Sequence, residues 1–328
     1  MVAPNINYSD IVATTIEFRS GELADNVTLH NAVLQRLNSN GNVDPIDGGY
    51  KIIEELEYAE NQSFKWYNGF DTVDIQPQEI FSAAEFDLKM AVISVIISGQ
   101  EQLMNSGRER FIPLLKKKMK NAENSFNNNL LRGLFSDGTG NGGKQLGGLQ
   151  SLLSSTPTLG TVGNISRATW PFWRNQKFAG VADGGAAIIA TNIQGYMNQL
   201  CYKLVRGSDF PDLIVFDANY HNLYFQSLQP NFRITTNDTA GSGFKSLKFY
   251  AVGNDADVVF AGNGVGMPAN MGYFLNSKYL RLRPHKDRNM VKIGGDRQPT
   301  NQDAIVSLLG WAGNVSCSNM SLQGVLIP

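Results

Sequence analysis

The most regular pattern in the chain is an alternation of apolar and polar positions. In YKIIEELEYAENQSFKWYNGFDTVDI, Tyr50, Ile52, Leu56 and Tyr58 alternate with charged or polar residues, and Phe64, Trp66 and Phe70 keep the even spacing beyond them. A period of two predicts strands, because successive side chains of a strand point to opposite faces. With AENQ as the turn, the pattern predicts a long β-hairpin. An isolated two-stranded hairpin is marginal in water, so one this rich in aromatics should pack against a surface. That surface is either its own domain or a neighbouring subunit, and the alternation alone does not choose.

A helical period follows. In GQEQLMNSGRERFIPLLKKKMKNAENSFNNNLLRGLF, Phe111, Leu115, Met119, Ala122, Phe126 and Leu130 form an amphipathic stripe. Pro113 either kinks this helix or sits in a first turn. From Pro113 to Phe135 it would span roughly 35 Å at about 1.5 Å per residue. The opposite face carries Lys116, Lys117, Lys118 and Lys120, either solvated or facing a polyanion. A second helix is predicted over about 185–206, with Ile189, Ile193, Met197, Leu200 and Leu204 as its stripe and Cys201 beside it as a structural thiol. DLIVF reads as a buried strand, and Asp217 as the cap of the helix ANYHNLYFQSLQ.

From Phe232 onward the pattern predicts short strands: FKSLKFY, DADVVFAG, GYFLNS and YLRLRP. A basic stretch contains Arg281, Arg283, Lys286, Arg288, Lys292 and Arg297, relieved by Asp287 and Asp296. The final segment, AIVSLLGWAGNVSCSNMSLQGVLI, reads as two strands joined at Gly-Asn in hairpin style. Residues 1 to about 48 are polar and weakly periodic. They read as an extended arm with a short helix around HNAVLQRL, and an arm of that kind should lie on something else.

Composition narrows the classes. The 328 residues suffice for one large domain or two ordinary ones. A net charge of -1 argues against a dedicated nucleic-acid binder. Two cysteines, Cys201 and Cys317, are too few for a disulfide framework. The N-terminus lacks a basic segment followed by an apolar one, and the longest apolar run, MAVISVII from Met90, is too short to span a bilayer. A soluble protein made in the cytoplasm, without a membrane partner, is expected.

Candidate chemistry is sparse. Gly138 to Lys144 in SDGTGNGGKQLGG matches G-x-x-x-x-G-K, and DLIVFD ends in an aspartate like a magnesium-binding strand. A phosphate loop needs Ser or Thr after the lysine for Mg²⁺, and Gln145 stands there. It also needs a strand before it and a helix N-terminus after it. NSFNNNLLRGLF reads instead as the end of a helix, and LGGLQSLL puts two glycines in the first turn. A glycine-rich turn explains the match. The histidines His30, His221 and His285 have no metal-ligand spacing, and there is no G-x-S-x-G elbow. No catalytic residue, metal site or cofactor is assigned.

NISRATWPFWRNQ is unusual: Trp170, Phe172 and Trp173 flank Pro171 in a region of Gly, Ser and Thr. It belongs to an ordered set of landmarks. The set runs YKIIEELEYAEN with WYNGFD, ISGQEQLMNSGRE, SDGTGNGGKQLGGLQSLL, ISRATWPFWRN, DLIVFDANYHNLYFQSLQP, RPHKDRNMV, and TNQDA with GWAGN and SLQGVL. Together these resemble the major capsid proteins of tailed bacteriophages, from about residue 48 to the end. Each piece is weak alone; seven in register are specific.

The resemblance implies an α+β chain of the Hong Kong 97-type capsid fold. It implies an N-terminal arm (1–48), an E-loop hairpin (49–75), a peripheral domain (76–185) with a spine helix over about 100–135, an axial α/β domain (186–300), and closing strands of the peripheral domain (301–328). It tips the hairpin toward a neighbouring subunit, with Tyr50, Ile52, Leu56, Tyr58, Phe64, Trp66 and Phe70 as contact residues. Lys116, Lys117, Lys118, Arg281, Arg283 and Arg288 become candidate charged contacts between subunits or toward the lumen. The implied function is mechanical rather than enzymatic. Hexamers and pentamers close into an icosahedral head in the host cytoplasm around double-stranded DNA that is held by weak, non-specific contacts. Portal, scaffolding, protease or decoration proteins are the implied partners. Some members carry a long N-terminal scaffolding segment that is later removed; here the arm begins almost at once, implying a mature form or a separate scaffold. The rival readings are a nanocompartment shell protein of the same fold and a nucleotide-binding enzyme with a degenerate phosphate loop.

Overall fold

The structure, a computed structural model, describes residues 32–72, 76–104, 114–228 and 247–328. Helix α1 (Ala32–Ser39) is followed by β1 (Lys51–Glu57), β2 (Phe81–Asp87) and β3 (Lys89–Ser98). Helices α2 (Gly99–Met104), α3 (Leu114–Leu134) and α4 (Leu149–Leu152) precede the short strands β4 (Thr161–Val162), β5 (Ile165–Ser166) and β6 (Gln176–Ala179). Next come α5 (Gly180–Gly184), α6 (Ile193–Leu204), β7 (Leu213–Phe216) and α7 (Ala218–Leu228). The chain closes with β8 (Leu247–Ala251), β9 (Asn254–Phe260), β10 (Gly272–Leu275), β11 (Leu280–Lys292), β12 (Ala304–Cys317) and β13 (Gly324–Ile327).

Two sheets organise the chain. The larger has the order β6-β13-β10-β7-β9-β8 and mixes parallel and antiparallel pairs. Its central strands are apolar throughout because both faces are covered. In LIVF of β7, Ile214 and Phe216 join Met197, Leu200 and Leu204 of α6 and Tyr220 and Tyr224 of α7, while Leu213 and Val215 face the other core. The smaller sheet is antiparallel, in the order β11-β12-β3. Helix α3 lies against it, with Ala122 and Met119 on Val95 and Leu309, and Phe126 beside Trp311 with ring centroids 6.3 Å apart. Its 21 residues measure about 31 Å at 1.5 Å per residue.

The ribbon of β1 and β2 differs from the hairpin expected from the alternation. The partner of β1 is Phe81–Asp87, paired Ile52 to Phe86 and Leu56 to Ser82, and not the segment bearing Phe64, Trp66 and Phe70. Those aromatics lie in the long connection between the strands. Even spacing of aromatics in an extended loop imitates a strand without a partner ladder.

Three further expectations change. Gly313 and Asn314 do not turn a hairpin: β12 runs straight through them, and β13 joins the other sheet. These glycines mark close packing; a Cβ on Gly313 would fall 2.6 Å from the Arg283 carbonyl, and one on Gly310 2.3 Å from Ile293. The helix expected over 185–206 starts only at Ile193. Gly185, left-handed at φ 74°, ends α5, and the Asn192 side chain accepts the Ile189 N–H at 2.8 Å, leaving Ile189 exposed. The division at 186 and 300 also cuts across the sheets: β6 and β13 belong to the six-stranded sheet, and β11 lies with β12 and β3. Of the spine helix, α2 and α3 are seen. Residues 1–31, Phe111, Pro113 and the Leu115 side chain lie outside the described residues.

Candidate assembly surface

The β1–β2 ribbon is rooted by one apolar face and one buried carboxylate. Ile52 and Leu56 are only 3% and 5% exposed and pack with Ala84, Phe86 and the main core. They are core residues of this chain and unavailable to a neighbour, which corrects the expectation that they are contact residues. Glu54, on the same face, is buried. Its Oε1 accepts hydrogen bonds from Arg283 Nε (2.9 Å) and Ser316 Oγ (2.8 Å) and lies 2.8 Å from Arg283 Nη2 in an ion pair. A carboxylate at this depth is tolerable only when so paired.

The same arginines hold the arm. Arg283 also bonds Asp44, Arg281 Nη1 reaches Asp44 at 3.2 Å, and Lys286 pairs with Asp47. Val43 and Ile46 bridge in parallel to Leu282 and His285. Arg281 and Arg283 thus clamp the arm and β1 to β11 within the chain; Arg283 is largely buried in this role, whereas Arg281 keeps 42% of its side chain exposed. Arg288, farther along β11, is exposed. On α3, Lys118 Nζ sits 2.9 Å from Glu101 of α2. Burial alone would raise the Glu101 pKa, but the hydrogen bonds from Lys118 and Ser98 outweigh it and hold it below the ordinary value. Lys117 is half-buried, and the Lys116 side chain lies outside the described residues.

Beyond its root the ribbon opens into a loop. Tyr58 is the last anchored residue: its hydroxyl donates to the Glu79 carbonyl at 2.8 Å, and its ring lies 5.6 Å from both Trp170 and Phe172. The WPFW segment is thus the seat of the loop's root, fixed from below by buried Trp173, whose Nε1 donates to the Val162 carbonyl at 2.9 Å. Past that point apolar burial stops. Phe64, Trp66 and Phe70 are 75%, 90% and 103% exposed, and Tyr50 at the other end of β1 is 91% exposed. Large apolar surface left in water in this way marks an interaction site.

A second apolar face was not foreseen in MAVISVII, which reads as merely apolar. The edge strand β3 turns Val95 into the core and leaves Met90, Val92 and Ile96 in solvent, joined by Val291 of β11. The signal available was period two inside an all-apolar run.

The glycine-rich stretch follows helix α3, as the reading of it as a turn required. Gly138, Asn141, Gly142 and Gly143 all have positive φ, and the next helix, α4, has four residues. No strand feeds the loop, so the frame of a phosphate loop is missing. With Lys51, Glu85, Lys89 and Asp137 it lines a cleft of about 560 Å³, and Lys89 Nζ donates to the Gly143 carbonyl at 2.8 Å. Asp217 caps α7, accepting from Tyr220 N at 3.0 Å and from Asn270 N at 2.8 Å. Burial pushes the Cys201 thiol up to about 12, as expected of a structural cysteine. His221 lies beside Phe260, with ring centroids 5.8 Å apart and planes tilted by 45°, and burial lowers its pKa.

Comparison with family models finds no match, and comparison with curated proteins finds none. Solved structures do match over nearly the whole chain. The capsid asymmetric unit of cyanophage A-1(L) superposes with a TM-score of 0.64 at 15% identity, covering 93% of this chain and 94% of that one. The capsid of the native GTA particle gives 0.58 at 11% identity, covering 97% and 98%. The holo-SrpI encapsulin complex from Synechococcus elongatus PCC 7942 gives 0.52 at 10% identity, covering 98% and 95%. The fold is therefore the Hong Kong 97-type capsid fold, an α+β architecture.

Proposed function

We propose that this chain is the major capsid protein of a tailed bacteriophage. It assembles through hexamers and pentamers into an icosahedral head around double-stranded DNA, in the cytoplasm of its host, and becomes part of the virion. Its role is mechanical and non-enzymatic. The observation that carries the reading is the loop beyond Tyr58, whose aromatics no described part of this chain covers. A second copy is the natural cover, because every copy in a shell presents the same loop. Tyr50, Phe64, Trp66 and Phe70 are the contact residues of this reading. The outward face of β3 offers an apolar surface of matching character. Arg288 is the charged contact it retains, and portal, scaffolding, protease and decoration proteins are its further partners. The near-neutral net charge fits a shell that must enclose DNA without gripping many phosphates.

The likeness to an encapsulin supports a second reading, a nanocompartment shell. The aromatic landmarks of WPFW and the loop favour the phage reading. Electron microscopy of the purified full-length protein, with assay of particle contents, tests both. Closed shells or free hexamers and pentamers support assembly. Shells isolated from a phage lysate that hold double-stranded DNA support the capsid, and shells that hold protein cargo support the nanocompartment. A monomer that persists at high concentration and with a scaffold partner supplied overturns both.

A further inference from the structure

The exposed loop carries a reactive pair. The chain has four Asn–Gly dipeptides, at 40–41, 68–69, 141–142 and 263–264. Asn–Gly is the pair in which a backbone nitrogen most easily attacks the preceding side-chain amide, because glycine brings no side chain to obstruct the approach. The surroundings decide which pair reacts. Asn40 is held from behind, its Nδ2 donating to Ser277 Oγ at 3.2 Å. Asn141 is held in the left-handed region at φ 53°. Asn68 and Gly69 are both exposed, outside any helix or strand. There the Gly69 N–H already points at the Asn68 side chain, 2.8 Å from Oδ1 and one bond from the carbon to be attacked. The turn is fixed from both ends: Asp71 N donates to the Asn68 carbonyl at 2.8 Å, and the Asp71 carboxylate accepts the Asn68 N–H at 2.9 Å.

We infer that Asn68–Gly69 is a self-modification site that marks subunits left unassembled. The Gly69 nitrogen loses its proton to solvent base and bonds to Asn68 Cγ. The Cγ–Nδ2 bond breaks and ammonia leaves, closing a five-membered imide. Water then opens the imide at either carbonyl. One opening restores the chain with aspartate at 68; the other routes the backbone through the side chain as isoaspartate. The net change is one water consumed, one ammonia released and one new carboxylate, with no oxidant or cofactor. That carboxylate stands between Trp66 and Phe70, in the surface that assembly covers. A charge there is costly to bury without a partner, so a modified subunit joins a shell less readily. This consequence rests on the assembly reading above; the chemistry does not.

The test is peptide mass spectrometry of the unassembled full-length protein, incubated from neutral to mildly alkaline pH, with parallel samples of assembled shells. In the free protein, Asn68 converts ahead of the other three Asn–Gly pairs and faster as pH rises. Gly69→Ala abolishes the lead without disturbing the fold, because no described atom lies within 4 Å of where its Cβ would sit and its φ is not positive. Conversion at Asn68 no faster than at Asn263, or unchanged in Gly69→Ala, overturns the site. Conversion in shells as fast as in free subunits leaves the chemistry standing and overturns the link to assembly. Asn68→Asp, which installs the product, should assemble at a higher critical concentration than the parent; equal assembly also overturns that link.

Discussion

The root and the loop of the β1–β2 ribbon obey opposite rules. At the root every inward residue has a partner in the chain: Ile52 and Leu56 lie in the core, and Glu54 is bonded by Arg283 and Ser316. In the loop, Phe64 touches Trp66, and both remain in water. Residues of similar hydrophobicity in one stretch of sequence thus divide by whether their own chain covers them. The root stabilises the subunit, and the loop leaves surface for another copy.

The largest effect that could break this contrast lies at the root. Glu54→Ala leaves Arg283 buried with only Asp44 to answer it and removes the acceptor of Ser316. It should destabilise the unassembled protein by about 3 kcal/mol, as breaking a buried pair does. Urea unfolding measures this. A loss well under 1 kcal/mol would mean that water reaches Glu54 and that the root is not a core. In the loop the pattern should invert. Trp66→Ala and Phe70→Ala should each shift subunit stability by no more than about 0.5 kcal/mol, as exposed sites do. Each should weaken assembly by about 2 kcal/mol, the size of an aromatic hot spot, read as the critical concentration for shell formation. A subunit unfolding early in Trp66→Ala would erase the distinction.

Sequence pattern reached the root more fully than the topology. The alternation through Ile52 and Leu56 was readable as a one-faced strand, and Ala122 and Phe126 as a helical stripe, because both periods are local. What failed was pairing. Nothing local told Leu56 to pair with Ser82 across the intervening loop, and Phe64 and Trp66 carried the same period without a ladder. Gly313 and Asn314 looked like a turn because close packing of Gly313 against the Arg283 backbone leaves no sequence trace except glycine. The charged candidates show a related limit: Arg281 and Arg283 read only as members of a basic stretch until Asp44 and Glu54, more than 200 positions away, came beside them. The exposure of Phe64, Trp66 and Phe70 was legible only through the resemblance, since an aromatic alternation is equally compatible with burial.

The smallest effect gives the sharpest control. Strands β8 and β9 form a tight hairpin whose two turn residues, Val252 and Gly253, have φ of 54° and 80°. Positive φ at both positions is the pattern that favours Asn-Gly, and a β-branched residue there is strained. Val252→Asn should therefore stabilise the subunit by about 1 kcal/mol, visible as a higher urea midpoint. Placed in Trp66→Ala, it separates the two ways shells could be lost. If Trp66 acts by contact, the double variant unfolds later than Trp66→Ala yet assembles no better. If assembly returns with the added stability, Trp66 was supporting the fold, and the loop belongs with the root after all.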